Sequence, residues 1–104
     1  MKPYRIRIEY GKTEPGKVCI VESAAPGISW AVAAEGNERQ EAVRVELWTG
    51  GQLLWDTGWL STAEQSLRYA GEPLPPGEVC RLDLRLRSDS GEESKAYREL
   101  CFGG

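Results

Sequence analysis

The stretch that decides the fold is Cys80-Arg81-Leu82-Asp83-Leu84-Arg85-Leu86-Arg87, at residues 80–87. Apolar and charged side chains alternate along it without interruption. Because successive side chains of a β-strand point to opposite sides of its sheet, this pattern predicts a strand with one buried and one solvated face. Helical spacing, with apolar residues every three or four positions, is hard to find anywhere in the chain.

The same alternation recurs on both sides of this strand. Further short strands are predicted at residues 4–10, 17–22, 28–33, 43–47, 53–59, 67–69 and 95–102. In the first of them, Tyr4, Ile6 and Ile8 are expected to share the buried face. In the third, Trp30 is in phase with Ile28 and Val32 and is expected in the core. Gly50-Gly51 predicts a tight hairpin turn, and residues 11–16 a looser one. Ser61–Gln65 begins like a helix cap but is too short to be more than a loop.

Seven to eight short strands, with no helix for parallel crossovers, predict an all-β fold. The expected arrangement is two antiparallel sheets packed face to face, with a closed barrel as the alternative. A chain of 104 residues has room for one hydrophobic core, so residues 1–104 are expected to form a single domain.

Charge and hydropathy exclude two classes of partner. The 13 basic and 16 acidic residues are interleaved and give a net charge of −3, which does not suit nucleic acid. No apolar run approaches the roughly 20 residues that span a bilayer, so no membrane partner is expected. The N-terminus lacks the apolar core of a signal peptide, which together with unpaired cysteines favours a cytoplasmic location.

Neither catalysis nor a cofactor is expected of this chain. Cys19, Cys80 and Cys101 are far apart and the sequence contains no His, so a metal site or a disulfide scaffold is not predicted. The cysteines are expected to be buried thiols, although one bridge between two of them stays open. A Ser or Cys nucleophile usually needs a neighbouring His as its base, and the sequence contains none. Catalytic, cofactor-binding and metal-binding residues are therefore predicted to be none.

The acidic residues of the strands have a simpler use than glycoside hydrolysis. Glu46 and Asp83 fall on solvated strand faces beside Arg44, Arg81 and Arg85. Cross-strand ion pairing is the expected role of these five side chains. A hydrolytic pair would instead need two carboxyl groups on either side of a substrate cleft.

Three tryptophans, Trp48, Trp55 and Trp59, surround the predicted hairpin and form the candidate contact surface. Aromatic faces can bind sugar rings or a neighbouring domain. The alternative is packing within the domain, with Trp55 in the core beside Leu53. Trp48 is expected on the solvated face with Arg44. Of the three tryptophans, it is therefore the one whose substitution would best test binding.

From Ala25 onward the chain resembles the fibronectin type III-like N-terminal module of bacterial α-L-rhamnosidases. The segments that carry the resemblance are Pro26-Gly27-Ile28-Ser29-Trp30, Arg39-Gln40-Glu41-Ala42, Leu54-Trp55-Asp56-Thr57-Gly58, Tyr69-Ala70-Gly71-Glu72-Pro73-Leu74, Asp89-Ser90-Gly91 and Phe102-Gly103-Gly104. They match the family's Pro-x-Phe-Ser-Trp, Gln-x-Ala-Tyr, Leu-Trp-Asp-Ser-Gly, Tyr-x-Gly-x-x-Leu, Asp-x-Gly and Phe-x-x-Gly in the same order. The resemblance implies a fibronectin type III- or immunoglobulin-like sandwich.

The chain also departs from the family pattern. Cys80 stands where fibronectin type III domains usually have a Tyr, Leu82 where the rhamnosidase modules tend to have Trp, and Tyr97-Arg98 where they have Trp-Ser. A thiol cannot replace the strong hydrogen bond of the Tyr hydroxyl.

The resemblance implies an accessory role rather than an enzymatic one. In these enzymes a separate α/α barrel with paired acidic residues cleaves the rhamnosyl bond, and no position of this chain corresponds to that pair. The expected parent is therefore a larger rhamnosidase-like glycosidase whose neighbouring domains are the partners, with carbohydrate as a further ligand. The alternatives are an independent carbohydrate- or protein-binding module and a fragment of an extracellular adhesive array.

Overall fold

The computed structural model describes residues 1–8, 11–12, 19–21, 26–34, 36–71 and 77–102. All regular elements in these ranges are strands, and none is a helix. They are β1 Lys2–Ile8, β2 Gly11–Lys12, β3 Cys19–Val21, β4 Gly27–Ala33, β5 Gln40–Thr49, β6 Gln52–Asp56, β7 Ser66–Arg68, β8 Val79–Ser88 and β9 Glu93–Phe102. The turn predicted at 11–16 thus begins with a short strand, and its remainder lies outside the described residues.

The strands form two separate sheets. The larger has the order β2-β3-β9-β8-β5-β6 and the smaller the order β1-β4-β7. Pairings between the strands are antiparallel except that of β3 with β9, which is parallel. The predicted two-sheet antiparallel fold is confirmed, and the barrel alternative is wrong because the sheets do not join into one.

The core lies between the sheets and is centred on the pairing of β8 with β5. In this register Leu82 faces Leu47, and Leu84 faces Val45, all at the inner surface. Each of these four side chains is at most 2% exposed. Burying one such side chain contributes roughly 1.5–3 kcal/mol. Trp30 of the smaller sheet packs against this layer, as its alternation with Ile28 and Val32 predicted.

A bulge in β1 changes which side chains of that strand are buried. Tyr4 pairs with Ala31 and Arg7 with Ser29, so β1 contains one residue more than β4 between the two pairs. Arg5 takes up the extra residue at a φ of 50°. The expectation that Tyr4 shares the buried face of Ile6 is therefore wrong, since Tyr4 is 42% exposed. An inserted residue reverses the inward and outward positions that follow it.

The bulge also receives a side chain from the opposite sheet. Arg98 pairs with Leu82 and so lies on the inner face of β9. Its Nη1 donates a hydrogen bond to the carbonyl oxygen of Ile6 at 3.0 Å. This bond joins the two sheets. Arg98 occupies the position at which the rhamnosidase modules that the chain resembles tend to carry Ser.

The β5–β6 hairpin has the predicted tight turn. Thr49 pairs with Gln52, and the two residues between them, Gly50 and Gly51, have φ values of 52° and 82°. Positive φ at both central positions is the geometry that matches the twist of the two strands, and glycine adopts it without a steric penalty. The Gly-Gly pair thereby fixes where β5 ends and β6 begins.

A second bulge interrupts this hairpin just beyond the turn. Leu47 pairs with Trp55 but Trp48 pairs with Leu53, so Leu54 is the additional residue. Trp55 packs against the core, whereas Leu53 is 42% exposed. The predicted placement of Leu53 beside Trp55 in the core is wrong for the same reason as that of Tyr4.

The loop predicted at Ser61–Gln65 contains no helix and is held by the buried side chain of Gln40. Gln40 Nε2 donates to the carbonyl oxygens of Thr62, at 3.0 Å, and Glu64, at 2.8 Å. Its Oε1 accepts from Trp30 Nε1 at 3.2 Å. One amide therefore joins the start of β5, the core tryptophan of β4 and the loop before β7.

Removing this amide should destabilise the domain strongly. Gln40→Ala leaves the Trp30 indole N–H and two carbonyl groups without their partner, and each buried polar group left in this way costs about 1–3 kcal/mol. We expect a loss of at least about 2 kcal/mol in urea unfolding. Glu41→Ala, at an exposed position of the same strand, is the control and should change stability little. Equal effects of the two changes would contradict this role.

Gly71 lies beneath two aromatic rings. Trp55 and Tyr69 meet edge to face, with ring centroids 4.7 Å apart. A Cβ at Gly71 would lie 2.5 Å from the Tyr69 hydroxyl oxygen and 2.8 Å from Trp55 Cδ1. Both distances are shorter than van der Waals contact, so the ring pair leaves no room for a side chain. This close approach explains the glycine of the Tyr-x-Gly segment.

Gly71→Ala should therefore destabilise by overpacking, at about 1–3 kcal/mol. The same substitution made in a Tyr69→Phe background should cost less, since the nearest clashing atom has been removed. Thermal unfolding of the four proteins of this double-mutant cycle measures the difference. A cost that is the same with and without the Tyr69 hydroxyl would show that contact with this hydroxyl is not the cause.

Candidate functional site

The outer face of the larger sheet carries its charges in rows across the strands. Asp56, Glu46 and Asp83 lie opposite one another on β6, β5 and β8. The neighbouring row places Arg44 opposite Arg85. Like charges directly opposite each other repel, so each row needs partners from the row beside it.

Ion pairs connect these rows diagonally and along the strands. Arg85 Nε lies 3.5 Å from Glu46 Oε1, and Arg81 Nε donates to Asp83 Oδ1 at 2.8 Å. The predicted cross-strand pairing is confirmed for Arg85 with Glu46, whereas Arg81 pairs with Asp83 of its own strand, two residues away. Glu46 is nevertheless buried, because its neighbours cover it on a face that the alternation predicts to be solvated. Arg44, the fifth residue of the predicted set, pairs with another carboxylate.

That carboxylate is Asp56, at the end of β6. Arg44 donates to it through Nε, at 3.0 Å, and through Nη2, at 2.6 Å. Asp56 Oδ1 also accepts the backbone N–H of Gly58 at 2.8 Å, and Thr57 Oγ1 accepts that of Val45 at 3.0 Å. The Asp-Thr-Gly segment is thus a turn that closes the edge of the sheet.

These contacts determine the protonation state of Asp56. The Arg44 hydrogen bonds, followed by the Gly58 N–H, hold the pKa of Asp56 below its ordinary value of 3.8. A general acid for glycoside hydrolysis needs the opposite shift, a raised pKa. On this face, Asp56, Glu46 and Asp83 each serve as the ion-pair partner of an arginine.

The cysteines within the described residues are thiols. Cys80 is buried between the sheets opposite Leu100, in phase with Leu82 as predicted, and burial raises the pKa of its thiol. Cys101 is partly exposed, and both are free. The side chain of Cys19 lies outside the described residues. No group of three or more potential metal ligands occurs in the described ranges.

The structure separates the three candidate tryptophans. Trp55 faces the core and contacts Tyr69. Trp59 lies at one end of the outer face, with the Arg87 guanidinium carbon 4.9 Å from its ring centroid. Trp48 lies at the other end, opposite Arg81. Arg81 and Arg87 are six positions apart along β8, or about 20 Å. One continuous aromatic platform is therefore not formed.

Trp48 borders an open groove of about 450 Å³ at the hairpin end of the larger sheet. Gly50 and Gly51 form one border of this groove, and Val79, Arg81 and Glu99 lie along another. Trp48, Arg81 and Glu99 belong to one row across β5, β8 and β9. The groove therefore combines an aromatic side chain with charged groups of both signs.

Sequence reasoning missed two exposed apolar side chains beside this groove. Val79 is 52% exposed and Tyr97 is 62% exposed. Tyr97 lies under the Arg81 guanidinium, 4.8 Å from its carbon to the ring centroid. Both residues occupy outward positions of β8 and β9, so alternation alone could have identified them as apolar side chains on a solvated face.

Within the described ranges, no helix is long and apolar enough to cross a bilayer. Open space also borders the smaller sheet, as a groove of about 700 Å³ that includes Arg7, Ser29 and Ser66. Charged and aliphatic side chains line most of this second groove, and none of its described lining residues is aromatic.

Comparison with protein families identifies a match over residues 3–102. The matching family is described as the Rha78A-like, N-terminal immunoglobulin domain. A comparison with curated protein sequences finds no match.

Solved structures show the same likeness. The α-L-rhamnosidase of Dictyoglumus thermophilum superposes with a TM-score of 0.80 at 26% identity, over 97% of this chain and 12% of the enzyme. The α-L-rhamnosidase of Streptomyces avermitilis, complexed with L-rhamnose, superposes with a TM-score of 0.70 at 25% identity, over 95% of this chain and 11% of the enzyme. A superoxide reductase from Ignicoccus hospitalis superposes with a TM-score of 0.55 at 12% identity, over 98% of this chain and 80% of the reductase. At this identity the likeness shows the fold alone. The chain thus spans about a ninth of each rhamnosidase.

The Asp56 ion pair generates a test by pH. Since the folded pKa of Asp56 lies below 3.8, its stabilisation is fully present above that pH and is lost as pH falls through the folded value. Asp56→Asn should lower the melting temperature by about 2–5 °C at pH 7. The difference from the unmodified protein should shrink below about pH 3.8. A difference independent of pH would contradict the pairing, and Glu41→Gln, at an exposed position of β5, is the control.

Proposed function

The chain belongs to the family of Rha78A-like N-terminal immunoglobulin domains, and from that membership we propose that it is a non-catalytic accessory module of a larger rhamnosidase-like glycoside hydrolase. The observation that carries the proposal is the family match over residues 3–102. Its share of the two rhamnosidases, 12% and 11%, agrees with a role beside the catalytic part of such an enzyme.

The charge arrangement supports a role outside the chemistry. Glu46, Asp56 and Asp83 are each held by an arginine on the outside of a sheet. Glycoside hydrolysis requires one carboxyl group that keeps its proton and a second that does not, on either side of a bound sugar. In the proposed parent these groups belong to another domain.

The packing suits a spacer that also docks against its neighbours. The two sheets share one core and are joined by the Arg98–Ile6 hydrogen bond, so the domain can hold the surfaces beside it at a fixed distance. Interfaces between domains of one chain are modest in area and need only a few aromatic or apolar contacts. Residues 1–104 act in this proposal as one domain of that parent.

A second candidate function is favoured by the groove at Trp48. An indole ring beside Arg81, Asp83 and Glu99 is the kind of surface on which a carbohydrate-binding module holds a sugar ring. In that case the chain would be an independent binding module. Trp59 would act as a separate contact, and Trp55 would contribute to the core.

The parent enzyme provides the direct test. The whole polypeptide encoded in the same reading frame should hydrolyse p-nitrophenyl α-L-rhamnopyranoside, whereas residues 1–104 alone should not. The same polypeptide without residues 1–104 should contain the catalytic domain but melt at a lower temperature, because it has lost its neighbour. Hydrolysis by residues 1–104 alone, or a reading frame that ends at Gly104, would contradict the proposal.

A further inference from the structure

A patch of four apolar side chains stands out on the outer face of the larger sheet. We propose that this hairpin-end patch, formed by Trp48, Leu53, Val79 and Tyr97, docks against the domain that follows in the same polypeptide. The inference rests on the proposed accessory function and assigns a surface to it.

The four side chains lie on one face of four adjacent strands, around the charged pair of Arg81 and Glu99. Leu53 pairs with Trp48, Trp48 with Arg81, and Arg81 with Glu99, which makes one row from β6 to β9. Val79 and Tyr97 lie two residues to either side of this row, on the same face. Several apolar groups gathered at one end of a charged sheet differ from the single exposed apolar residues that are common on protein surfaces.

Their chemistry favours a protein surface over a sugar. Leu53 and Val79 are aliphatic, and no aromatic face or polar group is available on them for a sugar ring. Among the polar groups nearby, Arg81 is already engaged, because it pairs with Asp83 and lies over the Tyr97 ring. Apolar side chains with a stacked arginine among them are the composition found at the centre of protein interfaces.

The course of the chain identifies the occupant. Cys101 pairs with Val79, and β9 ends one residue later at Phe102. Polypeptide that continues beyond β9 therefore leaves from the border of the hairpin-end patch. A domain attached there is held near the patch at an effective concentration on the order of millimolar, so a small contact suffices. Trp59, at the opposite end of the same face, lacks this proximity.

Amide hydrogen exchange on the whole polypeptide tests the assignment. The backbone amides of residues 79–81 and 97–101 should exchange at least about tenfold more slowly in the whole polypeptide than in the 104-residue chain. Val79→Asp should abolish that gain, since it places a charge in the contact. Trp59→Ala is the matched control and should leave the gain unchanged. The melting temperature of the 104-residue chain with Val79→Asp should be close to that of the unmodified chain, because Val79 is exposed. This measurement distinguishes a folding defect from a docking defect.

The outcomes separate this inference from the proposed function. A whole polypeptide that hydrolyses the rhamnoside but shows unchanged exchange at the patch would overturn the docking surface and leave the accessory role standing. Absence of hydrolysis, or of any downstream domain, would remove both. A saturable change in fluorescence of the 104-residue chain on addition of L-rhamnose, lost in Trp48→Ala, would assign the patch to carbohydrate instead.

Discussion

The pairing of β8 with β5 is the constraint from which the other features of this domain follow. Its inner side places leucines of β8 against apolar residues of β5 and forms the floor of the core. Its outer side consequently receives every charged residue that alternates with them. Because the two central rows, Asp56-Glu46-Asp83 and Arg44-Arg85, each carry charges of one sign, they are paired with each other diagonally, as in Arg85 with Glu46. Burial on one face thus dictates ion pairing on the other.

The segments shared with the family gain a physical meaning in the structure. Trp30 and Gln40 belong to different segments but form one hydrogen bond, and Gln40 also holds the loop before β7. Asp56 closes the sheet edge through Arg44 and Gly58. Gly71 makes room for the Trp55–Tyr69 ring pair. These residues keep the loops and edges in place around a core that alternation alone would build.

Alternation in the sequence was sufficient to predict the sheets, the tight Gly50-Gly51 turn and the buried position of Trp30. It failed at the two bulges, where Tyr4 and Leu53 are exposed. In β1 the bulge leaves no mark in the sequence, because the apolar and charged residues keep alternating while the strand exchanges its inward and outward faces. The site was harder to predict, since the distance between Trp48 and Trp59 depends on the strand partners that a linear pattern does not specify.

The parallel pairing of β3 with β9 has a mechanical consequence. Cys19, Ile20 and Val21 face Leu100, Cys101 and Phe102 in the same chain direction, at the end of the last strand. Tension applied along β9 from beyond Phe102 acts along the strand axis, so it loads these bonds and those to β8 simultaneously. The strand must slide past both neighbours before any bond is freed, whereas a peeling force would break them one by one. A pull on the C-terminal end of β9 is therefore opposed by both of its neighbouring strands.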